Sequence, residues 1–242
     1  MAKMAALIGA EESDCYEKKA ARLTVLVNEK FYRPALGAYI SSFTSGREQV
    51  TRHANIHAIL FGIADEHQTA AIIKNVLEND EVPPITTPFF GGFELDAMAK
   101  IGRTDLVEAR IRSYWKGMLD LGATTVWEEY NPAITGAKHY EMYNHKYGKS
   151  LCHAWGASPI YLLGRYFLGV APTDTAYKTF EVQPHLGGFG FIEGTVPVHD
   201  GEVQVYLSKE VLRVRATKEG GTLIYGEKTL ALPKNETIEI KL

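Results

Sequence analysis

Apolar residues recur at helical spacing along the first two thirds of the chain. Between residues 16 and 31, Ala20, Leu23, Leu26 and Val27 fall on one face, and charged side chains lie between them. This segment is predicted to form an amphipathic helix. The same spacing predicts helices over residues 48–63, 66–78, 93–101 and 106–119, which short turns connect into antiparallel hairpins, and a nearly apolar helix over residues 149–168. Because the last helix is apolar on most sides, we expect other elements to cover it.

The pattern changes after Gly169 to short runs of alternating and β-branched residues. Turn sequences such as Asp200-Gly201 separate these runs at intervals of roughly ten residues, which is typical of an antiparallel β-sandwich. Strands are predicted over residues 179–183, 189–197, 202–207, 211–217, 222–225 and 236–242. Pro172 is expected to close the last helix. The sequence therefore predicts an all-α domain over residues 1–170, followed by an all-β sandwich domain over residues 171–242.

Composition narrows the classes of protein and partner. The chain has 242 residues, of which 45% are hydrophobic, so it contains enough apolar material for a large core and is not disordered. The formal charge is −3 without a long basic block, so nucleic acid is not an expected partner. The longest apolar run is shorter than the roughly 20 residues of a membrane-spanning helix, so a membrane is not expected either. Cys15 and Cys152 show no disulfide or metal spacing, so we expect two small buried thiols and a reducing, cytoplasmic location.

The segment 119–145 is too long and too rich in aromatic and polar residues to be a simple connection. Glu128 and Glu129 follow Trp127 directly, and neighbouring side chains of an extended segment point to opposite sides. Only one of the two carboxylates can therefore face a given cleft. Partial desolvation beside the indole would raise the pKa of that carboxylate toward the range useful for proton transfer. The alternative is that both residues are solvated loop acids.

A second group of candidate residues lies at 150–159. His153 and Trp155 combine a polar ring with an aromatic face, which suits the hydroxyls and apolar C–H faces of a sugar, although His153 could equally be a structural hydrogen-bonding residue. Phe89 and Phe90 could line a pocket or fill the core. His53 and His57 are spaced like two zinc ligands on a helix, but Ala54 stands where a metalloprotease has its glutamate, so no metal is predicted.

Three separated motifs resemble one enzyme family. Gly117 to Tyr130 (GMLDLGATTVWEEY), Ser150 to Ala157 (SLCHAWGA) and Gly164 to Val170 (GRYFLGV) closely resemble the C-terminal half of bacterial α-L-rhamnosidases of glycoside hydrolase family 78. The resemblance implies an (α/α)₆ barrel of six helical hairpins, then a β-sandwich. It also implies cofactor-free hydrolysis of terminal α-L-rhamnosides in rhamnose-containing glycans, with inversion at the anomeric carbon.

The resemblance also implies roles for individual residues. Glu128 corresponds to the general base of the family, and Glu129 is its neighbour facing elsewhere. His153 corresponds to a sugar-contacting histidine, Trp127 and Trp155 would form pocket walls, and Phe90 completes the predicted substrate-binding set.

The chain departs from the family in two respects. The Asp- and Arg-rich motif that carries the general acid has no counterpart in residues 1–49, and residues 1–169 provide about half of a twelve-helix barrel. Asp96, Glu94 and Glu141 are local candidates for the missing acid. We therefore expect a C-terminal portion of an enzyme, a truncated product, or a chain that completes its ring with another polypeptide. Helices without neighbours expose apolar stripes, so we expect the chain to self-associate or to bind a complementary chain.

Two other function classes stay open from the sequence. The chain could be a non-catalytic remnant that binds carbohydrate or acts as a subunit. It could also belong to a hydrolase or lyase of uronic-acid glycans built on the same helical barrel.

Overall fold

The computed structural model describes residues 1–242, and their contacts divide the chain into two compact units, Met1–Ile85 and Thr86–Leu242. The predicted order of an α-helical part followed by a β part is confirmed. The predicted domain boundary near Gly169 lies within the second unit and stays a prediction. No helix combines the length and the apolar character needed to cross a membrane.

The first unit contains four helices and a two-stranded hairpin. The elements are α1 (Ala2–Leu7), α2 (Ser13–Phe31), β1 (Tyr32–Arg33), β2 (Ala38–Tyr39), α3 (Arg52–Leu60) and α4 (Glu66–Ile72), which continues through a π-helical turn (Ile73–Leu77). Asp65 begins α4 with a capping box, because its carboxylate accepts from the backbone of Gln68 while the Gln68 side chain accepts from the backbone of Asp65. Buried Asn55 of α3 accepts from the backbone N–H of Tyr39 and donates to its carbonyl, both at 2.9 Å, which fixes β2 against α3.

Helix α2 is amphipathic as predicted, but it has no buried residue. Leu23 and Leu26 are 50% and 37% exposed, and Val25 is 56% exposed. An apolar stripe with this exposure loses the free energy that burial would supply, so the helix has a face suited to a further packing partner.

In the second unit the helices precede the sheets. They are α5 (Pro88–Lys100), α6 (Thr104–Arg110) with a π-helical turn (Ile111–Trp115) that leads into α7 (Lys116–Asp120), and α8 (Ser158–Leu162) with its own π-helical turn (Leu163–Phe167). Helices α5 and α6 form the predicted hairpin. Pro88 opens α5 at the first helical position, where its fixed φ suits the helix and the missing N–H costs no hydrogen bond.

The prediction of one helix over residues 149–168 is wrong in its first half. Residues 149–157 are irregular apart from a single 3₁₀ turn (Ala154–Gly156), and α8 begins at Ser158. Pro159 fits this start, because proline is tolerated in the first turn of a helix, where its missing N–H costs no hydrogen bond, and not in a helix interior. The expected coverage is also wrong, since Ile160 is 78% and Tyr161 is 55% exposed.

The β part consists of two four-stranded sheets. Its strands are β3 (Val170–Pro172), β4 (Phe180–Val182), β5 (Phe191–Val198), β6 (Gly201–Ser208), β7 (Val211–Ala216), β8 (Gly221–Tyr225), β9 (Lys228–Leu232) and β10 (Thr237–Lys241). One sheet has the order β10-β7-β6-β5 and is antiparallel. The other has the order β3-β4-β8-β9 and contains one parallel pair, β4 with β8. Pro172 lies in β3 instead of closing the preceding helix.

Alternate side chains of the strands form one apolar core. Phe180, Leu207, Leu212 and Leu223 are among its fully buried members. Leu168 and Val170, which come from the chain between α8 and β4, belong to the same cluster. The helical part of this unit therefore contributes directly to the core of the sheets.

Candidate active site

Two stretches of extended backbone hold the predicted base. The N–H of Glu128 donates to the carbonyl of Ser150, and the N–H of His153 donates to the carbonyl of Val126, both at 2.9 Å. Residues 126–128 and 150–153 therefore lie side by side. This pairing brings together two motifs that are more than twenty residues apart in the sequence.

The Glu128 carboxylate is buried among polar groups. The residue is 5% exposed. Its Oε1 accepts a short hydrogen bond from the hydroxyl of Tyr143, and its Oε2 accepts from the backbone N–H of Ser150 at 3.1 Å. Nδ1 of His153 lies 3.8 Å from Oε2. The alternative of a solvated loop acid is therefore wrong for this residue, while its role as general base stays a prediction.

These contacts lower the pKa of Glu128. The hydrogen bond from Tyr143 is the largest cause, partial burial opposes it, and the Ser150 N–H together with the positive charges of His153 and Lys149 adds to it. The expectation of a raised pKa is therefore wrong, because hydrogen bonds to the ionised form outweigh desolvation. A carboxylate held in its ionised form suits a proton acceptor better than a proton donor.

Glu129 has a different partner from Glu128. Its Oε2 lies 2.6 Å from Nζ of Lys149, whose side chain is fully buried. Lys149 precedes Ser150, so this ion pair anchors the chain directly before the N–H that donates to Glu128. The two neighbouring acids therefore have different surroundings, one facing polar groups near His153 and the other neutralising a buried ammonium.

Aromatic rings extend from His153 into a small cavity. The ring centroid of His153 lies 4.1 Å from that of Trp155, with the two planes tilted by 34°. The centroid of Trp155 lies 5.5 Å from that of Phe89, which in turn lies 5.3 Å from that of Phe90. A cavity of about 220 Å³ is lined by Phe89, Gly92, Phe93, Asp96, Trp155, Ser158 and Tyr161. The structure therefore brings Glu128, His153 and Trp155 together through direct contacts, whereas Phe90 is connected to them only through Phe89 and does not line the cavity.

Asp96 is the carboxylate of that cavity. Its Oδ1 accepts a hydrogen bond of 2.5 Å from Tyr166. The other two candidates for the missing acid lie in different surroundings. Glu94 is 1% exposed and its Oε2 lies 3.9 Å from Nε of Arg110, whereas Glu141 is exposed at the surface.

Trp127 lies below the surface. Its indole is 3% exposed and its ring centroid lies 6.0 Å from that of Tyr140. A pocket wall needs open surface, and this side chain offers almost none. The two cysteines correct another expectation, because Cys15 and Cys152 are both exposed instead of buried.

Tyr143 was not among the residues predicted for the site. Tyr143 and Asn144 both have positive φ, of 54° and 57°, inside a tight turn that hydrogen bonds between Met142 and His145 close. Such turns normally carry glycine or asparagine at these positions, so a tyrosine there holds strained backbone. This turn positions the Tyr143 side chain so that its hydroxyl donates a hydrogen bond to the carboxylate of Glu128.

The chain combines helical hairpins with a β part, and its candidate site brings a buried carboxylate close to a run of aromatic rings. The model of the bacterial alpha-L-rhamnosidase 6 hairpin glycosidase domain matches residues 1–167. The chain therefore belongs to this family. No curated protein sequence matches it.

Solved structures agree with this assignment. The GH78 rhamnosidase of Bacillus sp. GL1 is 26% identical, with a TM-score of 0.78 over 93% of this chain and 24% of that chain. The α-L-rhamnosidase of Dictyoglomus thermophilum is 21% identical (TM-score 0.70, covering 92% of this chain and 25% of that one). The Streptomyces avermitilis enzyme in complex with L-rhamnose is 16% identical (TM-score 0.72, 92% and 22%). Because the Dictyoglomus and Streptomyces enzymes are so distant in sequence, their similarity shows a shared fold alone. The chain spans about a quarter of the length of these enzymes.

Proposed function

We propose that this chain provides the general base and part of the sugar pocket of an α-L-rhamnosidase that hydrolyses terminal α-L-rhamnosides with inversion. The observation that carries the proposal is the Glu128 carboxylate, which accepts hydrogen bonds from Tyr143 and Ser150 and lies 3.8 Å from His153, whose ring contacts Trp155 of the aromatic cavity. Family membership and the similarity to the Bacillus rhamnosidase support the substrate class.

In the proposed reaction, Glu128 accepts a proton from a water molecule that attacks the anomeric carbon. A carboxylic acid on the opposite face of the sugar protonates the leaving oxygen, and the two carboxyl groups are typically about 6.5–9.5 Å apart in inverting enzymes. His153 would hydrogen-bond sugar hydroxyls, and Trp155 and Phe90 would contact the apolar face of the ring. Asp96 is the acid in this chain that lines the aromatic cavity, and a carboxylate from another polypeptide segment is the alternative source.

Hydrolysis of an aryl α-L-rhamnoside tests the role of Glu128. The wild-type chain should release β-L-rhamnose as the first product, as followed by proton NMR. Glu128→Gln should lower kcat by about 10²–10⁴, the usual contribution of a general base. Glu236→Gln, which removes an exposed carboxylate in the turn before β10, is the matched control and should retain activity. First release of α-L-rhamnose, or full activity of Glu128→Gln, would contradict the proposal.

We also propose that the chain self-associates or binds a complementary chain that completes the helical barrel. The absence of any buried residue on α2 and the exposure of Ile160 on α8 support this proposal, because both faces offer apolar surface for packing. Sedimentation velocity tests it. A larger assembly of the chain alone supports self-association, and assembly only on addition of the N-terminal hairpins of a family member supports a complementary chain. A monomer under both conditions refutes both forms.

A further inference from the structure

The outer face of the antiparallel sheet carries a polar groove that the proposed hydrolysis does not use. A cavity of about 410 Å³ lies along β5, β6, β7 and β10, whose inner side chains form the apolar core. It is lined by Glu193, Gly194, Thr195, Gln204, Val205, Tyr206, Arg213, Arg215 and Thr237. Because each of these residues has a fixed register in the sheet, the groove is a preformed surface.

One row of residues paired across the four strands contains an aromatic ring and three charged side chains, of which Arg213 and Glu239 form an ion pair. Tyr206 lies between Glu193 on one side and Arg213 on the other. The guanidinium of Arg213 is 5.5 Å from the centre of the Tyr206 ring, and its Nε lies 2.7 Å from Glu239. Phe191, which is 61% exposed, stacks nearly parallel to Tyr206 with centroids 6.2 Å apart. Tyr206 and Phe191 therefore form an aromatic platform of two rings, and the guanidinium of Arg213 packs against the ring of Tyr206.

The next row is rich in hydrogen-bond donors and has an unbalanced positive charge. Thr195, Gln204, Arg215 and Thr237 lie side by side on the four strands. Arg215 bonds a neutral partner, the side-chain oxygen of Asn235 at 3.4 Å, and no carboxylate lies within ion-pair distance of it. In contrast, Arg213 in the neighbouring row already has a carboxylate partner. Of the two arginines that line the groove, Arg215 is therefore the one without a carboxylate partner, and the free carboxylate of the groove, Glu193, lies in the neighbouring row.

A pair of aromatic rings beside hydroxyls, an amide and a guanidinium matches the chemistry of an acidic sugar. The apolar face of a sugar ring packs on aromatic rings, and sugar hydroxyls bond amide and carboxylate groups. The planar guanidinium fork suits a carboxylate in particular. We propose that this groove binds an oligosaccharide that contains uronic acid, with a sugar ring on Tyr206 and Phe191 and the carboxylate on Arg215. The proposal does not depend on the role of Glu128.

Calorimetric titration of the whole chain with tetragalacturonate tests the proposal. The neutral probe is the carboxyl-reduced tetramer, which has the same length and linkage. Wild type should bind tetragalacturonate about tenfold more tightly, as expected for one charge-assisted hydrogen-bonded contact. Arg215→Gln should abolish this preference, and Tyr206→Ala should weaken the binding of both tetramers. Arg22→Gln, which removes an exposed guanidinium from α2, should leave both affinities unchanged.

Equal affinity of the wild type for the two tetramers, or binding of neither, would overturn the proposal. A preference that survives in Arg215→Gln would overturn it as well. Thermal unfolding followed by circular dichroism identifies any variant that fails to fold. If a variant does not fold, the difference between the affinities of the wild type for the two tetramers still decides the test. Since the readout is binding, loss of rhamnosidase activity and loss of this site are separate results.

Discussion

Replacement of Glu129 by glutamine tests whether the two neighbouring acids have different tasks. The side chain of Lys149 is fully buried, and its Nζ lies 2.6 Å from Glu129. Glu129→Gln therefore leaves a buried ammonium without its counter-charge, which typically costs about 3–5 kcal/mol. Because the Glu129 side chain is 19% exposed, water can reach part of the site, and we expect the lower end, about 3 kcal/mol.

Equilibrium urea unfolding of four proteins measures this cost. They are wild type, Glu129→Gln, Lys149→Met and the double variant, in which no charge is left to pair. The double variant should regain most of the lost stability, because a buried ion pair replaced by uncharged groups of similar size is often close to neutral. The reasoning is refuted if Glu129→Gln costs less than about 1 kcal/mol, as an exposed ion pair would, or if the two single effects add in the double variant.

Three further predictions concern other parts of the chain. Asn55→Ala should destabilise the protein by about 3 kcal/mol in urea unfolding, because it leaves the N–H and carbonyl of Tyr39 buried without partners, and a cost below about 1 kcal/mol would contradict this. The pKa of Glu128 is lowered from its ordinary value of 4.5, so the stability that this carboxylate contributes should be present above pH 4.5 and lost as pH falls through the lower folded-state pKa. Tyr143→Phe should reduce this loss when urea midpoints are measured from pH 6 to 3. An identical pH profile of the variant and the wild type would refute the reasoning. Gly169→Ala should lower the free energy of unfolding by at least about 2 kcal/mol, because φ is +75° and a Cβ would overlap backbone just after β4; a melting temperature equal to that of wild type would count against it.

The helical periodicity predicted where α2 to α6 lie, because the spacing of apolar residues marks their inner faces. Helix α1 was not predicted, and side-chain caps mark the start of α3 and α4 only. The error over residues 149–157 has a physical reason. An apolar run does not distinguish a helix from an extended segment that pairs with residues 126–128, and the sequence alone does not show that pairing. Strand β9 was missed for a similar reason, since most of its side chains are exposed and its period is not apparent.

The candidate site was predictable where a motif carried it. Glu128, His153 and Trp155 came from motifs, and the structure brings them into contact, while their catalytic roles stay predictions. Tyr143 could not be predicted, because its position depends on two consecutive residues with positive φ, and neither of them is a glycine that would indicate such a turn. Lys149 was equally hidden, since nothing in a lone lysine indicates that its ammonium will be buried against Glu129.

The contribution of Leu168 and Val170 to the core of the sheets has a consequence for how such enzymes are recombined. Val170 pairs with Val182 in β3 and β4, and both residues before and within β3 are buried among the strands. A chimera joined immediately after residue 170 would give the transplanted sandwich an unfilled interior and an unpaired edge. Swapping this module between relatives should therefore succeed best when the segment from Leu168 onward is transferred with it.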